Sequence, residues 1–440
     1  MGQNLKLNEV KRLIQTKERL FLSLLSGLCV AIQLITWYYY SIQEGAGAQA
    51  NLTTQRAITR DFTVLRLAVH LGQIWDRQTR STTRIAMPSQ NISMDVIHAL
   101  NTSKLHLDSE LCLASYSWNG FKLFVNDHLD LNCNGSAFMV KTHRRRIEIY
   151  SSVFEYCLHQ LNLGPFSWVL DVSDATRNYQ DFFHNVQAPF MAFAKSKIDN
   201  HTLPIPDPHM VQAMMWEMGA VPRRNEIAVK KLKKFYAPPR GSSQRWSDKK
   251  NVAVYRGTCN PTINPQDTTG FSRIYPRSEV CVLYGNDDRF DIGIDQGDVC
   301  LQWHTTEFCQ QCMSCNNKTR LGPSEMSSYK YLLAVDGHGP SYDATIWKLL
   351  SKSVVFLVEH SSGVAFDMFY YPLLRPRIHY VPTNVRQLKS NIQWCEGHDA
   401  ESKRIAERAH ELTAKIIDPV FVTQYMKEIL KIAHKRQNGR

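Results

Sequence analysis

The stretch Tyr331–Val335, "YLLAV", is apolar throughout and ends abruptly at Asp336, Gly337 and Gly339. An apolar run this short, closed by turn residues, predicts a buried parallel strand rather than a helix. Runs of the same kind recur as "SWVLDV", "NVAVYRG", "EVCVLYG", "SVVFLVE" and "IHYVPT". Helical text lies among them: Ile147, Tyr150, Phe154, Cys157 and Leu161 share one face, and Trp347 to Leu350 continue the pattern later. Strands interleaved with helices predict doubly wound, Rossmann-like α/β domains with parallel sheets. The stretch "KKFYAPPRGSSQRW", Lys233 to Trp246, mixes basic residues with Pro, Gly and Ser and reads as the boundary between two such domains. One domain then covers 111–245 and the other 246–395, with terminal helices over 396–440 that pack back across both.

The N-terminus sets the compartment. Leu20 to Tyr40 is a run of 21 residues without a charge, long enough to cross a hydrocarbon core of about 30 Å. Lys11, Arg12, Lys17 and Arg19 precede it, and Trp37 to Tyr40 form an aromatic band at its end. The positive-inside rule makes 1–19 a cytosolic tail, 20–40 a transmembrane signal anchor and the remainder lumenal. Residues 41–110 read as a stem, with one amphipathic helix carrying Val64, Leu65, Ala68, Leu71 and Trp75. Glycosylation sequons at Asn51, Asn91, Asn101, Asn134, Asn200 and Asn317 all follow the anchor, as do ten of the 11 cysteines. Both suit a disulfide-forming lumen of the Golgi or ER. Cys309, Cys312 and Cys315 have a spacing that zinc could use, but in that compartment disulfides are the better reading. The formal charge of +12 fits phosphate-bearing substrates, whereas a nucleic-acid partner is excluded by the topology.

Ligands of parallel sheets sit beyond the carboxyl ends of the strands, where glycines let a phosphate approach the chain. Two such domains facing across a cleft on a lumenal anchor are the usual build of a secretory-pathway glycosyltransferase. One architecture of that class holds a metal with Asp-x-Asp to neutralise the leaving diphosphate. The chain has no Asp-x-Asp. The other architecture neutralises the diphosphate with basic side chains, glycine loops and helix N-termini, and needs no metal.

Seven segments carry a more specific likeness: "WVLDVSDAT", "PFMAFAKSK", "LPIPDPH", "VYRGTCNPT", "YKYLLAVDGHGPS", "KLLSKSVVFLVE" and "FYYPLLRPRIHYVPT". In order and spacing they resemble glycosyltransferase family 90, the protein O-glucosyltransferases and fungal capsule xylosyltransferases, over roughly 165–415. The resemblance implies a GT-B-like, metal-independent, inverting transfer of glucose or xylose from a UDP-sugar to a protein or glycan hydroxyl. A catalytically silent, lectin-like protein on the same fold is the alternative.

By the same resemblance, Asp174 in "VSDAT" is the general base, and an acid at a strand end is well placed for that work. Asp171 is the second candidate. Arg256 and Gly257 of "YRG" lead against the nucleotide, a further arginine matches Arg273 or else Arg277, and Asp336, Gly337, Gly339 and Ser341 form the turn that meets the UDP-sugar. Family members often carry an arginine two residues after that serine; this chain has Asp343, so Lys348 is the candidate replacement cation. Glu359 closes the list at the expected sugar pocket.

Overall fold

The computed structural model describes residues 63–74, 76–77, 112–127, 137–173, 188–216, 218–220, 226–258, 262–263, 273–295, 315, 320–337, 339–359 and 366–438. The expected amphipathic helix is present as α1 (residues 63–74), and its Val64, Ala68 and Leu71 are buried in the main apolar core. The expected anchor, Leu20 to Tyr40, lies outside the described residues, as do five of the six sequons. Among the described residues no helix is long and apolar enough to cross a membrane.

Strands β1 (Leu113–Trp118) and β2 (Leu123–Asp127) form an antiparallel hairpin. Its turn holds Gly120 at φ 94°, a backbone that glycine adopts without a Cβ clash. Helix α2 (Ala137–Leu158) follows, then β3 (Phe166–Asp171), antiparallel to β1. Strand β4 (Phe190–Ala192), the short β5 (Lys195–Ser196) and β6 (Leu203–Pro204) come next, and the first sheet has the order β2-β1-β3-β4-β6. The helix face expected from Tyr150, Phe154 and Cys157 is the buried one. Phe154 meets the stacked rings of Tyr116 and Trp168 edge-on, at 5.3 and 5.2 Å between centroids, a geometry that adds to the area burial of large rings.

Helix α3 (Pro208–Met215) is started by Asp207, whose carboxylate accepts from the backbone N–H groups of His209 and Met210 and from the Tyr236 hydroxyl. The conspicuous Asp of "LPIPDPH" is therefore a buried helix cap. Helix α4 (Glu226–Lys233) leads into three short 3-10 turns across the expected boundary stretch.

The second sheet is wholly parallel. It comprises β7 (Lys250–Thr258), β10 (Phe290–Asp295), β11 (Tyr329–Val335), β12 (Val354–Glu359) and β14 (Val381–Asn384), in the order β10-β7-β11-β12-β14. The intervening β8 (Thr262–Ile263) and β9 (Arg273–Ile274) pair with each other, and β13 (Phe366–Asp367) pairs with β5 from the first half. Tyr331–Val335 is buried at every position, as a strand covered on both faces must be.

One expected strand is a helix. "EVCVLYG" falls in α5 (Pro276–Tyr284), with Pro276 in the first turn. Val280, Cys281 and Tyr284 are buried while Val282 and Leu283 are 61% and 50% exposed. That is a helical face, not alternation. The strand beside β7 is instead "FDIGID", β10, whose acids and glycine hide its character. Cys281 is bonded to Cys315, so the Cys315 thiolate is not available to zinc; Cys309 and Cys312 lie outside the described residues.

Helix α6 (Pro323–Met326) precedes β11, and α7 (Tyr342–Leu350) links β11 to β12. The chain ends with α8 (Leu388–Gly397), α9 (Asp399–Ile416) and α10 (Pro419–Asn438). Helix α9 packs on β12 and α7; after the break at Pro419, α10 packs on β3, α2 and α3. The terminal helices thus touch both sheets.

Lys249, 4% exposed at the start of β7, fastens the second half from within. Its ammonium donates to the carbonyls of Ser327 and Ser351 and to the Ser353 hydroxyl. Replacing it with methionine leaves buried acceptors unpaired, at about 1–3 kcal/mol for such a loss. Lys249→Met should therefore lower the melting temperature by several degrees; an unchanged value would show that water replaces the lysine without cost.

Candidate active site

The carboxyl end of β11 is where the site forms. After Val335 the chain turns at once: the Gly337 N–H donates to the Gly339 carbonyl at 2.9 Å, and the Ser341 hydroxyl donates to the Val335 carbonyl at 3.0 Å. Arg277, on the first turn of α5, lies directly on this turn. A Cβ at Gly337 would stand 2.6 Å from Arg277 Nη2 and 2.7 Å from its Cζ. Only glycine lets the guanidinium rest there. The same arginine donates to the Thr258 carbonyl and hydroxyl at 3.1 and 3.2 Å, at the end of β7. Arg277, the second of the two arginines weighed as nucleotide ligands, is thus brought to the turn. Arg273 is on β9, opposite Ile263, and its side chain lies outside the described residues.

Burial pushes the Asp336 carboxyl up to about 7, against the pull of Arg277, the Ser341 N–H and Lys197. Lys348, on α7 and 2% exposed, is pushed down to about 7 by burial, with the Arg277 charge acting in the same direction and Asp343 and Asp336 opposing. Its ammonium sits 5.5 Å from the Trp347 ring centroid and 5.9 Å from that of Tyr255. Asp343 occupies the first turn of α7. The departure at position 343 therefore stands within electrostatic reach of the lysine expected to offset it.

Tyr255 and Arg256 point to opposite faces of β7, as neighbours on a strand do. The Tyr255 hydroxyl fills the space above Gly257, where a Cβ would be 2.2 Å away. Arg256 is engaged by Asp291: Nη2 meets Oδ1 at 2.9 Å, and Nη1 donates to the Asp291 and Tyr255 carbonyls at 2.6 and 2.9 Å. Tyr329 donates to the other Asp291 oxygen at 2.8 Å. Gly257 and Arg256 thus shape β7, with Arg256 committed to an ion pair beside Gly293.

Beyond the Asp336 turn lies a cavity of about 170 Å³. Its polar wall comprises Lys197, Asp336, Glu359 and Asp367, and tyrosines 371 and 380 face them. Lys197 Nζ donates to Glu359 Oε1 at 2.7 Å. Lys197, Asp367, Tyr371 and Tyr380 had no expected role, although each belongs to or adjoins a quoted family segment.

Asp174 lies outside the described residues; Asp171 and Ser173, just before it, do not. Both Asp171 oxygens are used locally, by the Ser173 N–H and hydroxyl at 2.8 Å each, and the side chain is 2% exposed. Arg146 Nη1 donates to the Val172 carbonyl at 2.7 Å. Asp171 thus helps to fix the end of β3.

The profile of glycosyl transferase family 90 matches residues 216–438, half of the sequence. The chain belongs to glycosyltransferase family 90. It is similar to an O-glucosyltransferase rumi homolog of Anopheles gambiae, 36% identical over 86 residues, or 19% of this chain and 21% of that one. Protein O-glucosyltransferase 2 of Danio rerio is 39% identical over 80 residues, 18% of this chain and 15% of that one. Uncharacterized protein 035R of Invertebrate iridescent virus 3 is 31% identical over 113 residues, 25% of this chain and 10% of that one. The chain therefore spans a fifth or so, or less, of the length of these relatives. The matched region contains Arg277, Asp336, Lys348 and Glu359, and begins after Asp174 and Lys197.

The raised Asp336 carboxyl has a checkable consequence. Between its ordinary value near 4 and about 7, the folded protein keeps a proton that the unfolded chain releases. The native state then binds more protons, so this group makes stability fall as pH rises through that window. Asp336→Asn removes the titration. The variant should match the wild type in melting temperature near pH 4 and gain on it progressively towards pH 7. A difference that does not change with pH would mean that Asp336 titrates normally.

Proposed function

We propose that this chain is an inverting, metal-independent glycosyltransferase that moves glucose or xylose from a UDP-sugar to a hydroxyl of a protein or glycan. The observation that carries this reading is the Arg277 guanidinium seated on Gly337, with Lys348 in the same electrostatic cluster and a ring-sized cavity alongside. Family membership supports sugar transfer, and the O-glucosyltransferase relatives support glucose among the donors.

The chemistry needs little covalent help from the protein. The acceptor oxygen attacks the anomeric carbon from the face opposite the diphosphate, the carbon–oxygen bond to phosphate breaks, and UDP leaves with the electron pair. One displacement inverts the centre. The acceptor proton goes to Asp174, the expected base. Charge building on the diphosphate is met by Arg277 and Lys348, whose donors act as preorganised electrostatic stabilisers. This replaces the metal that an Asp-x-Asp motif would hold. A diphosphate beside Lys348 favours its charged form, so donor binding should draw a proton above pH 7.

On this reading the two α/β halves form a GT-B-like arrangement whose cleft holds donor and acceptor, and Arg273, Ser341 and Asp343 line the donor side. The body is lumenal, in the Golgi or ER, behind the signal anchor at 20–40, as the sequons and the disulfide favour.

A transfer assay with UDP-glucose and UDP-xylose, in excess chelator, tests the proposal. Sugar release or transfer with inverted anomeric configuration, unaffected by chelator, is expected. Asp174→Asn should lower turnover by about 10²–10⁴, the share of general-base catalysis. Activity abolished by chelator and restored by manganese would contradict the metal-independent chemistry; no turnover and no UDP binding would contradict the enzyme.

A further inference from the structure

The ring-sized cavity is not built by the nucleotide-side half alone. Asp336 and Glu359 end β11 and β12, while Lys197 follows β5, which belongs to the first half of the chain. What brings Lys197 there is the two-stranded pairing of β5 with β13, in which Lys195 stands opposite Asp367 and Ser196 opposite Phe366. The two lysines of "KSK" then divide their work. Lys195 is 2% exposed, donates to the Asp199 carbonyl and stands 3.9 Å from Asp367 Oδ2. It is a buried brace. Lys197 is half-exposed, lines the cavity and pairs with Glu359.

An ammonium has three N–H donors and a carboxylate about four acceptor sites, so the contact between Lys197 and Glu359 leaves donors and acceptors on both for a ligand. Asp367, also on the wall, adds acceptors. Phe366, Leu374 and Pro382 supply an apolar surface to the same cavity. Its volume, about 170 Å³, is below the roughly 300–1,000 Å³ of pockets that enclose drug-sized ligands. The space and its lining suit one polyhydroxyl ring, with C–H groups on the apolar side and hydroxyls towards the charged groups.

We propose that Lys197, together with Glu359 and Asp367, determines donor-sugar specificity, so that the first half of the chain reads the sugar while the second half holds the nucleotide. This rests on the UDP-sugar reading above. A site that hydrogen-bonds a hydroxyl penalises ligands lacking it, because its own polar groups are then left unpaired. The contribution of Lys197 belongs to the sugar and not to UDP.

The test is calorimetric affinity of the full-length protein in detergent for UDP, UDP-glucose and UDP-xylose. Wild type should bind one of the two sugar nucleotides more tightly than the other. Lys197→Met should weaken the preferred one at least fivefold while leaving UDP within twofold, and Lys197→Arg should recover part of the loss. Glu359→Gln tests the same contact should the methionine variant fold poorly. Equal changes for UDP and the sugar nucleotides, or no change for any, would overturn the inference while leaving the enzyme reading intact. Wild type binding neither UDP nor a sugar nucleotide would overturn the enzyme reading, and this inference with it.

Discussion

The seating of the Arg277 guanidinium on Gly337 is the contact on which the rest of the site depends. It joins three elements: the start of α5, the end of β7 through Thr258, and the turn after β11. It also sets the local electrostatics. Arg277 is the largest influence opposing the rise of the partly buried Asp336 carboxyl, and its charge acts in the same direction as desolvation on Lys348. A cationic surface is thus held open at a strand end by the absence of one methyl group. A Cβ at this position would push the guanidinium tip away from the turn, so glycine is what lets the contact be this close.

Charge placement explains how an acid can stand at position 343. Asp343 is on the first turn of α7 and Lys348 is further along the same helix, where it is buried. Burial of an unpaired lysine is costly, and here the ring faces of Trp347 and Tyr255 and the nearby acids offset it. A lysine held near neutrality can gain a proton when an anion arrives, which an arginine cannot do. Lys348, pushed down to about 7, thus gives this helix a buried cation whose charge responds to pH near neutrality.

Much of this was legible in the sequence, where one physical signal dominates. β11 and β12 are apolar on both faces and so declare themselves, and Pro419 marks the break between the last two helices. α5 reads as a strand because Val280, Cys281, Val282 and Leu283 are contiguous; Pro276 in its first turn and the exposure of Val282 and Leu283 make it a helix. β10 is hidden in the sequence by its own Asp291, which pairs with Arg256. The glycine turn after β11 is legible as such, but that Arg277 reaches it depends on where α5 begins, which no local pattern announces. Lys197 and Glu359 are 162 residues apart, and no local pattern announces such a pair.

The most direct test of the account is a crystal structure of the protein with UDP bound. The diphosphate is expected within hydrogen-bonding distance of Arg277 and Lys348, over the Asp336–Gly337 turn, with the cavity beside Lys197 and Glu359 left open for the sugar. A diphosphate seated at Arg256, with the ion pair to Asp291 broken and Arg277 uninvolved, would contradict it.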